Sequence, residues 1–272
     1  MHSLGLEYHD VVAGDQFDSS GFPGAASASY KLSDRDFSAH LDAIGATGAH
    51  VRRSDRMAAV DMHTTPVFLT FDDGGLGALR QTAPLLEARG WVGHFFVVSD
   101  LIGTPGFLGA DGIRELHRRG HLVGSHSCSH PLRFSGLSMR EMVREWKDSR
   151  AVLEGILHDE VRTASVPGGY YRTPAAQAAA AAGYRTLFTS EPMTRVRDVD
   201  ECLVLGRYSI RRGDSPTLAR ALVVGHGAAR GRQWATWNAK KVIKAAGGNV
   251  YLAVREAIFE RAHRHHGTRV AP

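Results

Sequence analysis

Short strand-like runs alternate with single helical runs along most of the chain, and this alternation is the feature that most restricts the fold. Strands separated by single helices are typical of parallel βαβ units. The runs predicted as strands are residues 4–12, 66–71, 93–98, 121–125, 163–166, 186–189 and 203–210. Seven parallel strands in one chain favour a closed α/β barrel over an open sheet.

The pattern changes after the last predicted strand and becomes helical and basic. Helices are predicted over residues 217–224, 234–246 and 250–263. We therefore predict a barrel domain over residues 1–212 and a helical, basic C-terminal extension over residues 213–272, packed on or beside the barrel. A chain of 272 residues is long enough for one large domain of this kind.

Basic residues outnumber acidic ones and give a net charge of +5. They cluster at Arg52-Arg53, at Arg211-Arg212 and over residues 261–266. Such clusters can attract anionic partners, including phosphorylated lipids and nucleic acid. Because no nucleic-acid-binding motif accompanies them, we predict solvated basic faces and no nucleic-acid partner.

Features of membrane and secreted proteins are missing from the sequence. No apolar run is long enough to span a bilayer, and the first residues lack the basic start and apolar core of a signal peptide. Two cysteines, Cys128 and Cys202, suggest neither a disulfide framework nor a cysteine-rich zinc site. We predict a cytoplasmic location and leave peripheral membrane association open.

Carboxylates and imidazoles follow two of the predicted strands. Thr70-Phe71-Asp72-Asp73-Gly74-Gly75 ends one strand, and His126-Ser127-Cys128-Ser129-His130 ends another. Active sites of parallel barrels lie at these C-terminal strand ends. An Asp-Asp-Gly sequence is often a plain turn, and paired histidines often mark a helix face. The combination at two strand ends instead predicts a metal-dependent hydrolase, with one carboxylate left free to move protons.

These two segments resemble motifs of the polysaccharide deacetylase family, also called the NodB-homology or family 4 carbohydrate esterase group. Residues 70–74 are identical to its T-F-D-D-G motif, and residues 126–130 fit H-[ST]-x-x-H. The resemblance implies a distorted (β/α)7 barrel that removes N- or O-acyl groups from carbohydrates with zinc or a similar cation. It implies that Asp73, His126 and His130 are the metal ligands and that Asp72 is the general base.

The family's third and fourth motifs are altered in this chain. Ser165 takes the place of the arginine in R-x-P-x-G, and residues 189–192 lack the aspartate that normally orients that arginine. The two charged residues are thus expected to be absent together, which leaves the tuning of Asp72 without an explanation. The tight loop of Pro167, Gly168 and Gly169 is retained. We predict that it lines the substrate site and supplies a backbone N–H to the oxyanion, and that Tyr170 and Tyr171 offer flat faces for stacking against sugars.

The family's usual proton donor, a histidine on the last strand, is also missing from residues 203–210. His9, at the end of the first predicted strand, is our candidate for the general acid, with Asp10 expected to orient it. A histidine at a strand end can also simply bond to a loop. His226 comes later and is the weaker candidate.

The sequence therefore predicts a metal-dependent carbohydrate deacetylase. Its expected substrate is an N-acetylated or N-formylated amino sugar of a polysaccharide or a lipid-linked glycan precursor, and its expected cofactor is Zn²⁺. One alternative keeps the fold and hydrolyses a small cyclic amide. Another is a carbohydrate-binding protein with a residual metal site and no catalysis.

Overall fold

Seven parallel strands close into a barrel in the computed structural model, which describes residues 1–55, 64–169, 171–225, 227–239 and 241. In chain order the elements are β1 (Leu4–Tyr8), β2 (Asp10–Val12), α1 (Ala25–Ala28), β3 (Lys31–Ser33), α2 (Asp34–Gly45), β4 (Val67–Phe71), α3 (Ala83–Glu87), β5 (His94–Val97), α4 (Ala110–Arg118), β6 (Leu122–Ser125), α5 (Met139–Leu157), β7 (Thr163–Ser165), α6 (Thr173–Ala181), β8 (Thr186–Thr189), β9 (Arg197–Val199), β10 (Cys202–Ser209) and α7 (Pro216–Val224).

The barrel strands run in the order β1-β4-β5-β6-β7-β8-β10, and β1 also pairs with β10 to close the ring. At the closure Gly5 lies opposite Phe68 on one side and Arg207 on the other. Two additions lie outside the ring: β9 pairs antiparallel with β10, and β2 pairs with β3. The predicted seven-stranded α/β barrel is confirmed.

One predicted strand and one helical segment are divided in the structure. The strand expected over residues 4–12 is broken at His9, and its second half, β2, leaves the barrel to pair with β3. The helical segment that follows the acidic loop contains a π-helical part, Ala78–Thr82, before α3. Pro84 explains this irregularity, because it has no N–H to donate to the carbonyl four residues earlier.

Helices cover the outside of the barrel, and α5 illustrates how the sequence fixes them. Ser138 and Glu141 form a reciprocal capping box at the start of α5. Its buried face carries Met142, Trp146 and Leu153. Inside the barrel a separate apolar cluster contains four fully buried side chains: Phe68, Phe96, Phe188 and Leu205. This packing holds the strand ends that carry the polar residues.

The chain divides into two compact units, residues 1–230 and 231–272. The first includes α7, which packs against α2, so the boundary that we predicted at residue 212 stays a prediction. In the second unit residues 231–239 are helical. The rest of the helix predicted over 234–246 and all of the one predicted over 250–263 lie outside the described residues, apart from residue 241. None of the described helices is both long and apolar enough to cross a membrane.

Candidate active site

The acidic loop after β4 turns sharply at Asp73 and Gly74, whose φ angles are 76° and 81°. The loop then packs tightly on β2. A Cβ on Gly75 would lie 2.1 Å from Asp10 Oδ2, and one on Gly77 would lie 2.0 Å from the Val11 carbonyl oxygen. Glycine is therefore required at both positions, and the loop is fixed with Asp72 and Asp73 at the end of the barrel.

The histidine loop after β6 is held by a carboxylate from a neighbouring helix. Glu145 on α5 accepts the N–H groups of Cys128 at 3.0 Å and Ser129 at 2.9 Å, and also the Ser129 hydroxyl at 2.7 Å. His130 adopts a left-handed conformation with φ 55°, and its N–H donates to the Ser127 hydroxyl. The loop conformation is thus set by its surroundings before any ligand binds.

Asp73, His126 and His130 form a group that could hold a metal ion. Asp73 Oδ1 lies 3.6 Å from Nε2 of each histidine, and the three potential ligand atoms all lie within 4.8 Å of one another. His126 Nδ1 donates to the Ser165 carbonyl at 3.0 Å, which leaves the Nε2 lone pair of the neutral ring for a metal. One carboxylate and two imidazoles are a donor set that suits zinc.

The electrostatics of this group also fit a cation. Burial lowers the pKa of His126 and so favours its neutral, ligating form. Burial raises the pKa of Asp73, because a buried carboxylate is unfavourable without a positive charge beside it. A bound divalent ion would supply that charge.

Asp72 points to a different partner, the buried Arg207 on β10. Arg207 donates through Nη1 to Asp72 Oδ1 at 2.7 Å and through Nη2 to Oδ2 at 2.8 Å. Burial opposes ionisation of Asp72, but the positive charge and the hydrogen bonds of Arg207 outweigh it and hold the pKa of Asp72 well below its usual range. Asp72 is therefore a fixed, ionised carboxylate, 3.8 Å from His126 Nε2.

A second carboxylate completes the charge balance around Arg207. Glu7 on β1 lies 2.7 Å from Arg207 Nη2 and also accepts hydrogen bonds from the hydroxyls of Ser190 and Ser209. The arginine and aspartate of the third and fourth motifs are absent together, as expected, but Asp72 is not left without such a pair. Arg207 and Glu7 form such a pair from other strands. The sequence did contain a signal for this pair. Arg207 follows Gly206 in β10, Glu7 lies two residues after Gly5 in β1, and each is a charged residue inside an otherwise mainly apolar strand.

Ser165 and Gly5 make room for this arrangement. Ser165 takes the arginine position of the third motif, and its hydroxyl lies 2.8 Å from Arg207 Nη2. The Arg207 guanidinium therefore lies directly beside residue 165. A Cβ on Gly5 would lie 2.6 Å from Arg207 Cγ, so a larger residue there would collide with the arginine side chain.

His9 lies between β1 and β2, close enough to Asp72 and Asp73 for its charge to act on both. Its Nδ1 is buried and has no hydrogen-bond partner among the residues that the structure describes. Its ring packs on Tyr30, with 4.7 Å between the ring centroids. Asp10 does not orient His9, contrary to our expectation: its Oδ1 accepts the Val11 N–H at 2.9 Å, and its carboxylate faces the acidic loop.

The predicted oxyanion loop forms a short helical turn, Pro167–Gly169, directly after β7. Gly168 has φ 69°, and a Cβ there would lie 2.7 Å from the Leu132 carbonyl oxygen, so the turn packs against the chain that follows His130. Tyr170 and His226 lie outside the described residues. Tyr171 is buried and stacks under Arg197 at 5.1 Å, so the expectation that it offers an open face to sugars is wrong.

Comparison with known proteins finds similarity to polysaccharide deacetylases. Residues 59–187 match the polysaccharide deacetylase family. The chain is 24% identical over 212 residues to YxkH of Bacillus subtilis strain 168, a putative polysaccharide deacetylase, with 76% of this chain and 69% of that protein covered.

Two solved structures share the fold. The Streptococcus pyogenes deacetylase PplD, in complex with acetate, has a TM-score of 0.67 at 20% identity and covers 80% of this chain and 96% of its own. A polysaccharide deacetylase from Bacillus cereus has a TM-score of 0.70 at 19% identity and covers 82% of this chain and 69% of its own. The family match over residues 59–187 and the shared barrel confirm that this chain resembles polysaccharide deacetylases.

Proposed function

We propose that this chain is a metal-dependent hydrolase that removes an N-acetyl or N-formyl group from an amino sugar of a polysaccharide or lipid-linked glycan precursor. One observation carries the proposal: an ionised carboxylate, Asp72, is held by Arg207 beside a separate carboxylate–imidazole group. Two adjacent aspartates with different partners are suited to different roles, one for protons and one for a metal.

Asp73, His126 and His130 would hold the ion, and Zn²⁺ fits their chemistry best. When bound there, the ion would polarise the acyl carbonyl and lower the pKa of the attacking water. Asp73 and the neutral histidines leave positions open for that water and for the substrate.

Asp72 is the proposed general base. Its Oδ2 faces His126 and takes the proton of the water as the water oxygen attacks the acyl carbon. Arg207 does not release its own proton; it fixes both carboxylate oxygens and keeps Asp72 ionised before each turnover. The developing oxyanion is stabilised by a backbone N–H of the Pro167–Gly169 turn, where the sequence keeps Gly168 and Gly169.

His9 is the proposed general acid. The C–N bond breaks as the sugar nitrogen takes a proton from His9, and the products are the free amine and the carboxylate of the released acyl group. Among the described residues no group bonds to Nδ1 of His9, and its ring packs on Tyr30, which supports this role.

A metal-supplemented assay for released acetate or formate tests the proposal. The panel contains N-acylated sugars, lipid-linked N-acylated sugars and small cyclic amides. Asp72→Asn is expected to lower kcat by roughly a thousandfold while zinc stays bound, and Asp73→Asn is expected to lose zinc. Ring opening of cyclic amides alone, detected by mass spectrometry as the addition of one water, would instead support the cyclic-amide alternative. Sugar binding without acyl release in the zinc-loaded protein would refute the proposed hydrolase.

A further inference from the structure

Two exposed arginines lie at the edge of the barrel that carries the candidate site. Arg211 and Arg212 follow the C-terminal end of β10, and each stacks on an aromatic ring. The Arg211 guanidinium carbon lies 4.5 Å from the centroid of Tyr30, and that of Arg212 lies 4.6 Å from the centroid of Phe17. Stacking restricts an arginine through its flat face and leaves the N–H groups at its edge available.

Neither guanidinium is neutralised by the surrounding protein. Within the part of the chain that the structure describes, no carboxylate forms an ion pair with either one, whereas Arg89 pairs with Asp42 and Arg119 with Glu87. The neighbouring Asp214 accepts the backbone N–H of Arg211 at 2.8 Å. Two adjacent positive charges therefore face solvent beside the site.

A single aromatic ring separates Arg211 from the proposed general acid. Tyr30 contacts Arg211 and also contacts His9 at 4.7 Å. A group bound by Arg211 would thus lie next to a sugar whose acyl nitrogen is within reach of His9. A guanidinium fork binds phosphoryl oxygens in a bidentate manner, and a second guanidinium matches the second charge of a phosphate monoester.

We propose that Arg211 and Arg212 form a subsite for a phosphoryl group carried by the amino sugar of the substrate. This inference rests on the proposed function and narrows it: sugar phosphates and phosphate-linked lipid precursors are selected over neutral polysaccharide. Aromatic support fixes the two guanidinium planes before the substrate arrives, which reduces the entropic cost of binding.

Calorimetric titration of the zinc-loaded full chain tests the subsite separately from turnover. The ligands are N-acetylglucosamine, its 1-phosphate, N-acetylglucosamine linked through phosphate to farnesol, and the carboxylate sugar N-acetylmuramic acid. We expect the phosphorylated sugar to bind at least about tenfold more tightly than the neutral one. The Arg211→Gln/Arg212→Gln double variant should lose that preference and keep its affinity for the neutral sugar within about twofold. Tighter binding of the monoester would identify free sugar phosphates, and tighter binding of the farnesyl diester would identify lipid-linked sugars.

Arg118→Gln is a control for the loss of an exposed arginine away from the site. Arg118 is exposed and lies in the last turn of α4, at the opposite end of the barrel. Arg118→Gln should leave the preference for the phosphorylated sugar over the neutral one unchanged.

Three results would overturn the subsite. A preference that survives the double variant would mean that phosphate binds elsewhere, for example to the zinc. If the double variant lost affinity equally for the neutral and the phosphorylated sugar, the arginines would only hold the segment that contains Phe17 and Tyr30. If N-acetylmuramic acid, which carries a carboxylate, bound as much more tightly than the neutral sugar as the phosphorylated sugar does, the subsite would not be specific for a phosphoryl group. Absence of acetate release would count against the proposed function, while the binding ratio would still decide on the subsite.

Discussion

Arg207 and Asp72 form a bidentate ion pair inside the barrel, although 135 residues separate them in sequence. Both side chains are buried, and Glu7 supplies a second negative charge to the same guanidinium. The resemblance to polysaccharide deacetylases places an arginine at residue 165. In this chain the guanidinium comes from β10 and ends beside Ser165. The charge next to the proposed base is thus retained while its position in the sequence has changed.

Removing this guanidinium should strongly destabilise the protein. Arg207→Gln leaves two buried carboxylates, Asp72 and Glu7, without a full positive partner, which is expected to cost about 3–5 kcal/mol of unfolding free energy. Turnover should fall as well, because Asp72 loses both its ionised state and its orientation. Urea unfolding and the acyl-release assay measure the two effects.

Ser165→Ala is the control for Arg207→Gln. It removes the hydroxyl that lies 2.8 Å from Arg207 Nη2 and keeps the Asp72–Arg207 ion pair, so a loss of about 1 kcal/mol is expected. Equal losses in the two variants would show that the ion pair contributes little to stability.

Tyr30 should act on turnover through His9. Tyr30→Ala removes the ring that His9 packs against, and we expect kcat to fall about tenfold with zinc content unchanged. Tyr30→Phe keeps the ring, and its kcat should stay near that of the wild type.

The kcat of His9→Ala should fall about a hundredfold, as expected for a missing general acid. If His9→Ala hydrolysed both the ordinary amide and a substrate with a good leaving group at the wild-type rate, His9 would not be the proton donor.

Lys31 organises the loop that precedes it. Its buried ammonium donates to three carbonyl oxygens, those of Phe17 at 2.6 Å, Ser20 at 2.6 Å and Phe22 at 2.7 Å. The ring of Phe22 lies 5.4 Å from that of His130, so this loop reaches the candidate metal group.

Lys31→Met should therefore release the loop. The three carbonyls lose a charged donor, and we expect a loss of about 3 kcal/mol together with faster proteolysis within residues 14–24. Unfolding curves and mass spectrometry of limited digests provide the measurements. Lys147→Met, on the exposed face of α5, controls for the loss of a lysine. Digestion of the loop at the same rate in both variants would contradict this role of Lys31.

The parts of the fold and site that could be predicted are those encoded by neighbouring residues. Asp72, Asp73, His126 and His130 stand directly after apolar strands, so the local pattern places them at one end of a parallel barrel. The strand count follows from the same local signals. The Pro167–Gly169 turn could also be recognised, because its glycines stand where the backbone needs positive φ.

The parts that could not be predicted depend on contacts between distant segments. The charge on Arg207 is visible in the sequence, but nothing local indicates that it reaches Asp72 at the end of β4 or Glu7 on β1. Asp10 was expected to orient His9 from sequence proximity alone. The chain leaves the barrel after Tyr8, and this turn directs Asp10 toward Gly75.

Stability should decline in mild acid because of His94, which is buried in the barrel wall. Its Nδ1 donates to the Leu69 carbonyl at 3.1 Å, and its Nε2 accepts the Ser54 N–H at 2.9 Å, so the neutral ring is fully bonded. Burial lowers the pKa of His94 from 6.5 to about 4. The unfolded chain therefore binds this proton more readily than the folded chain, and the stabilisation present above pH 6.5 is lost as the pH falls toward 4.

Between pH 7.5 and 5.5 we expect His94 to lower the free energy of unfolding by roughly 1–2 kcal/mol. Urea unfolding of wild type and His94→Gln at both pH values isolates this contribution, because glutamine can occupy both hydrogen bonds without titrating. His94→Gln should be less stable at pH 7.5 but lose less on acidification, and parallel losses in the two proteins would show that the acid sensitivity arises from other groups.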